Sequence, residues 1–165
     1  MKKILCLLII GVSIFSLIGC SEKSEVNVAV EDIFSEIEKE IDFKGLTEVN
    51  LKNEEMLKVN KQIVKSYKIN LENVEEGIIK CPMINLAAEE IVIIKAKDKS
   101  KVSLIKETLK DHVQKQLKAY ENYVPKNYDL VKNHILKAEG KYIMLVISEH
   151  GEKIEKIFDN TLNNN

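Results

Sequence analysis

Two short segments constrain the fold more than anything else in the chain: residues 90–97, EIVIIKAK, and residues 141–148, KYIMLVIS. Each is apolar at consecutive positions over a length that suits a strand better than a helix. Side chains alternate between the two faces of a strand, so such a segment must be covered on both sides. Each also sits in a hairpin-like context. Residues 77–81 read as a short partner strand for the first, weakened at its far end by Pro82, with residues 83–89 as the connecting loop. Residues 134–138 pair with 141–148 through Glu139-Gly140, a two-residue turn with glycine second.

The rest of the chain has helical period. Val30, Ile33, Phe34, Ile37 and Ile41 share one face of a helix over about residues 29–41. Asn53, followed by Glu54 and Glu55, caps a second helix striped by Met56, Val59, Ile63 and Tyr67. Asp98 caps a long third helix carrying Val102, Ile105, Leu109, Val113, Leu117 and Tyr120. Pro125 ends or redirects it, with one more helical turn at residues 128–131, and Ile154, Ile157, Phe158 and Leu162 mark a last helix. The order is two helices, then ββα, then ββα. This predicts an α+β fold with a four-stranded, mostly antiparallel sheet packed with helices. The two doubly apolar strands are central, and the N-terminal helices cover the face or edge that the two later helices leave open.

The first residues follow a different logic. Lys2 and Lys3 precede an apolar run over residues 4–18, which is the charged start and apolar core of a secretory signal and is short for a spanning helix. Leu17-Ile18-Gly19-Cys20 resembles the lipobox of bacterial lipoproteins, in which a diacylglyceryl group is attached to the cysteine sulfur and signal peptidase cuts before it. An uncleaved anchor or an ordinary signal cut elsewhere is the competing reading, and a cysteine closing the apolar run favours the lipobox. The expected organisation is a signal peptide at 1–19, the lipidated Cys20 with a polar tether at 20–27, one α+β domain at 28–162 and a frayed tail at 163–165. Each buried methylene of the anchor contributes about 0.8 kcal/mol, so two chains hold stably. The tether, at about 3.3 Å per residue, keeps the domain within roughly 20 Å of the membrane.

Removing Lys2 and Lys3 takes the chain from its formal −1 to −3, with both signs interspersed, which excludes a nucleic-acid patch. Arginine is absent, and the abundance of Lys, Ile and Asn resembles low-GC Gram-positive proteins, which places the anchor on the extracytoplasmic face of the cell membrane. With Cys6 removed and Cys20 lipidated, Cys81 is the one free thiol and no intramolecular disulfide forms.

Residues able to carry chemistry are few. Phosphate loops, paired Cys-x-x-Cys, His-Glu-x-x-His and Gly-x-Ser-x-Gly are all missing. His112, His134 and His150 lie far apart and read as surface or partly packed side chains, so no metal site and no cofactor are expected. Strand alternation puts Cys81 with Ile79 on the core side, as a small buried hydrophobe. Glu75-Glu76 and Glu89-Glu90 flank the first hairpin and face each other across its open end as solvated charges. Tyr120, Tyr123 and Tyr128 cap the core with their polar tips outward.

Val74-Glu75-Glu76, then Pro82-Met83-Ile84-Asn85-Leu86-Ala87-Ala88-Glu89-Glu90-Ile91, then Tyr123-Val124-Pro125, Tyr128 and Gly140-Lys141-Tyr142 resemble a family of clostridial and related lipoproteins known as domain of unknown function 4358. The likeness runs over roughly residues 30–162. It supplies no activity, and implies only that a functional surface would involve Met83, Asn85, Glu89, Tyr123 and Tyr128. The expected role is a membrane-anchored extracytoplasmic module that binds an envelope protein or cell-wall component without catalysis. The alternatives are a small-solute receptor and, behind it, a thiol-dependent enzyme using Cys81.

Overall fold

The computed structural model describes residues 26–83 and 87–164. The signal, Cys20 and Asn85 therefore lie outside the described residues. The elements are α1 (Val30–Glu38), β1 (Leu46–Asn50), α2 (Glu54–Val59), α3 (Lys61–Tyr67), a 3₁₀ turn (Leu71–Asn73), β2 (Val74–Pro82), β3 (Glu90–Ala96), α4 (Lys99–Tyr120), α5 (Pro125–Lys132), β4 (Ile135–Glu139), β5 (Tyr142–Ile147) and α6 (Gly151–Asn163). The strands form one antiparallel sheet in the order β1-β2-β3-β5-β4. It is thus a mixed fold with a five-stranded sheet and not the four strands expected.

The additional strand is β1, which pairs with β2 from Leu46 opposite Pro82 to Asn50 opposite Ile78. Only Val49 of its five residues is fully buried, so the alternation that marks a strand is nearly absent. β3 and β5 are buried at every position, as two covered faces require. Even-numbered residues of β3 (Val92, Ile94, Ala96) join one core with Ile79 and Cys81; odd-numbered Ile91 and Ile93 join the other with Ile78 and Met144.

The helices divide differently from the expectation. α1 and α6 cover one face, through Val30, Ile33, Phe34 and Ile37 on the first and Ile154, Phe158 and Leu162 on the second. Residues of α3, α4 and α5 cover the other. The two N-terminal helical regions therefore lie on opposite faces, and so do the two later ones. The second of those regions is itself broken at Asn60 into α2 and α3, and α2 buries no residue fully. Asn53 caps α2 as expected, accepting from the amides of Glu55 (3.1 Å) and Met56 (3.0 Å). The β4–β5 turn is Gly140-Lys141, one residue later than the sequence suggests, because Glu139 still pairs with Tyr142. Gly140 takes a φ of +57° at the first turn position, where glycine avoids the Cβ clash.

Both ends of the sheet carry polar clusters. At the end where β2 begins and β3 finishes, buried Lys95 bonds Glu75 (2.8 Å) and Asn27 Oδ1 (2.6 Å) and reaches Glu76 at 3.5 Å. Beside it the Tyr142 hydroxyl accepts from the Val28 amide and donates to the Val28 carbonyl, each at 2.7 Å. Glu76 Oε2 accepts from the Val30 amide at 2.9 Å. Residues 27–30 are thereby tied to this end. Glu75-Glu76 and Glu89-Glu90 do not face one another: the antiparallel register sets Val74 opposite Ala96 and Lys80 opposite Ile91, so the two acidic pairs lie at opposite ends of the hairpin.

Candidate functional site

The other end of the sheet holds the second cluster, built by four elements. α3 stops at Tyr67 because Lys68 adopts a left-handed backbone (φ 56°), and Tyr67 is turned into the core. Cys81 comes from the last turn of alternation in β2, and Glu90 opens β3 on the same face as Val92 and Ile94. His112 lies on the stripe of α4 that buries Ile105, Leu109 and Val113. The expectation for the histidines fails at His112, which is 5% exposed, and the expectation of solvated strand-end acids fails at Glu90, which is 2% exposed.

These side chains form one connected network. Tyr67 donates its hydroxyl hydrogen to Glu90 Oε2 at 2.7 Å. His112 Nε2 lies 2.8 Å from Glu90 Oε1 and 3.1 Å from Oε2, so that ring nitrogen carries the hydrogen directed at the carboxylate. The Tyr67 and His112 rings stack with centroids 4.1 Å apart and planes at 15°. A carboxylate buried this deeply needs such partners, since an unpaired one is strongly disfavoured. Burial first, and then the Glu90 charge, push the Tyr67 hydroxyl well above its ordinary range. The same two causes raise the Cys81 thiol to about 11, a shift that the neighbouring Tyr67 hydroxyl only partly opposes. Cys81, 6% exposed, is therefore a protonated thiol and a poor nucleophile at neutral pH.

The network opens on a cavity of about 260 Å³ whose walls include Gln62, Ser66, Met83 and Gln116. Among the described residues, no three His, Cys, Asp or Glu side chains are grouped so as to hold a metal ion. A larger, open groove of about 1120 Å³ runs past α5, β4 and the start of α6, but it is lined by charges of both signs. Its Lys126–Glu149 pair (2.9 Å) is largely exposed, which marks a solvated cleft and not a converging site.

The residues singled out in the sequence fall around the smaller cavity in part. Met83 stands on its rim at 77% exposure, and Tyr123 is 72% exposed just beyond α4. The two segments meet where the Tyr120 hydroxyl donates to the Ala87 carbonyl at 3.0 Å. Glu89 is half-buried and accepts from Ser148 Oγ at 2.6 Å, while Tyr128 packs against the core. Sequence reasoning placed Tyr67 in a helix stripe and read His112 as a surface or partly packed side chain, and gave neither a role. The signal available for His112 was a polar residue on the apolar stripe of α4, and for Glu90 an acid in phase with Val92 and Ile94.

No curated protein matches the chain, and no solved structure does. A family model does match, over residues 47–148, and its description attaches no enzymatic activity. That span contains the sheet except for Leu46, and the whole Tyr67–Cys81–Glu90–His112 network. More than half of the chain being matched, this protein belongs to the family described as Domain of unknown function (DUF4358).

Proposed function

We propose that this protein is a lipid-anchored extracytoplasmic module of the cell envelope that binds a partner or solute, without catalysis, at the end of the sheet holding Glu90 and His112. One observation carries the reading: the N-terminal segment and the cavity are at opposite ends of the fold. Residues 27–30 are tied beside Tyr142 and Lys95, while Glu90 lies five residues away along β3, about 17 Å at about 3.4 Å per residue. A chain held through Cys20 on a tether of a few residues would then present Glu90, Met83 and Tyr123 away from the lipid. Among the described residues no helix is long and apolar enough to cross a membrane. A cavity of about 260 Å³ with buried polar walls favours the solute-receptor variant of the same reading. Nothing supports a thiol enzyme, because the Cys81 sulfur is buried and its proton is held tightly.

The test is cell fractionation combined with site-specific photo-crosslinking. The wild-type chain is expected with membranes and the Cys20→Ala variant in the medium. A photo-reactive side chain at Met83 or Tyr123 should capture an envelope component that one at exposed Lys97, just past the other end of β3, does not. Recovery of Cys20→Ala in the membrane fraction would sink the anchoring claim. Equal capture from all three positions would sink the binding-end claim.

A further inference from the structure

The hydrogens of the buried cluster are already committed, and this decides what kind of ligand the cavity can take. Tyr67 directs its hydroxyl hydrogen to Glu90, and His112 directs its Nε2–H there as well. Ser66, on the cavity wall, donates its hydroxyl to the Ile63 carbonyl at 2.7 Å. What the walls still offer around Glu90 are acceptors: further lone pairs on its carboxylate and the Ser66 oxygen. The side-chain amides of Gln62 and Gln116 can turn either a carbonyl oxygen or an N–H toward a guest. Among the described residues the lining contains a carboxylate but no lysine, and the chain has no arginine. An anion entering here would meet the Glu90 carboxylate with no lysine or arginine beside it, whereas a cation would meet a carboxylate largely removed from water.

One side of the cavity mouth is apolar. A second hollow of about 160 Å³ shares Gln62, Ile63 and Met83 with it and adds Val59, which is as exposed as Met83. Polar acceptors inside and an apolar lip outside match one ligand shape. We propose that this site binds a primary ammonium group on a short aliphatic stem, with the head hydrogen-bonded to Glu90 and Ser66 and the stem lying along Ile63, Val59 and Met83. A free alkylamine and the lysine side chain of a partner peptide share this chemistry. The proposal rests on the reading that this end of the domain binds, and names what it binds.

Calorimetric titration of the full-length protein in detergent micelles tests it with n-pentylamine, n-pentanol and pentanoate as probes. Pentylamine should bind about tenfold or more tightly than either isostere, the usual worth of a hydrogen-bonded charge. Glu90→Gln should abolish that preference. Because Glu90 is buried and its variant can fail to fold, Ser66→Ala on the cavity wall supplies a second check and should weaken pentylamine about threefold or more. Pentanoate or pentanol binding as tightly as the amine would overturn the proposal. So would pentylamine binding that is unchanged in Ser66→Ala. The source is separated by Nα-acetyl-lysine methylamide against its Nε-acetylated form: discrimination between them supports a peptide lysine, and binding of pentylamine alone supports a free amine. If the crosslinks at Met83 succeed while pentylamine does not bind, the ammonium proposal falls and the binding-end reading stands. If pentylamine binds while crosslinking at Met83 and Tyr123 captures nothing, the proposal stands with a free amine as ligand and the macromolecular partner is excluded.

Discussion

At the scale of single residues, the Glu90 carboxylate organises its surroundings. It draws hydrogens from Tyr67 and His112, and its charge, after burial, keeps the Cys81 proton in place. A thiol raised from 9.0 to about 11 is ionised at pH 8 to about one part in a thousand, against about one in ten for the ordinary value. Iodoacetamide should therefore label Cys81 about a hundredfold more slowly in the native protein than in guanidinium at pH 8, read by mass spectrometry. The linkage has a definite sign. The folded-state value is the higher one, so the native state holds the proton better, and the resulting stability is complete below about pH 9 and lost as pH rises toward 11. Denaturant midpoints measured from pH 8 to 11 should fall more steeply for wild type than for Cys81→Ala. Parallel curves would contradict the assignment.

At the scale of elements, β2 joins the edge strand β1 to the central strand β3. Gly77 in its middle faces the first core: a Cβ there would come within 2.8 Å of Leu51 Cδ1 and 3.3 Å of Ile94 Cγ1. Leu51 and Ile94 are both buried and have little room to move. Gly77→Ala is expected to cost about 1–3 kcal/mol by overpacking, measured by chemical denaturation. A neutral outcome would mean that the Leu51 side chain repacks freely. The break at Asn60 also belongs to this scale. The stripe of Met56, Val59, Ile63 and Tyr67 reads as one continuous helix, yet Val59 is exposed, and turning the chain at Asn60 is what lets α3 deliver Tyr67 to Glu90.

At the scale of the whole molecule, the two polar clusters divide the labour. One ties residues 27–30 to the sheet, and the other opens to a cavity at the far end of β3 and on the opposite face. Tyr142 is the hinge of the first, since its hydroxyl bonds both the amide and the carbonyl of Val28. Tyr142→Phe should cost about 1–3 kcal/mol, the penalty of leaving buried backbone groups without a partner. Amide exchange at Val28 and Val30 should quicken, while amides in β5 beyond the first pair stay protected. Uniform quickening across the sheet would show instead that the hydroxyl supports the global fold.

The sequence by itself determined the elements whose burial follows a simple period. β3 and β5 announce themselves as doubly apolar runs, α1, α4 and α6 as stripes, and the β4–β5 hairpin by its glycine. It left β1 unmarked because a five-residue edge strand with one fully buried side chain has almost no period to read. The site was beyond local reading for a related reason. Tyr67, Glu90 and His112 are separated by more than twenty residues at each step and sit in segments that read as ordinary helix or strand. Only the tertiary structure places them on one cavity, because strand register and helix packing set which distant residues meet. The same packing, acting on the three together, allows a carboxylate to be buried at all: each partner supplies a hydrogen bond that neither could supply alone.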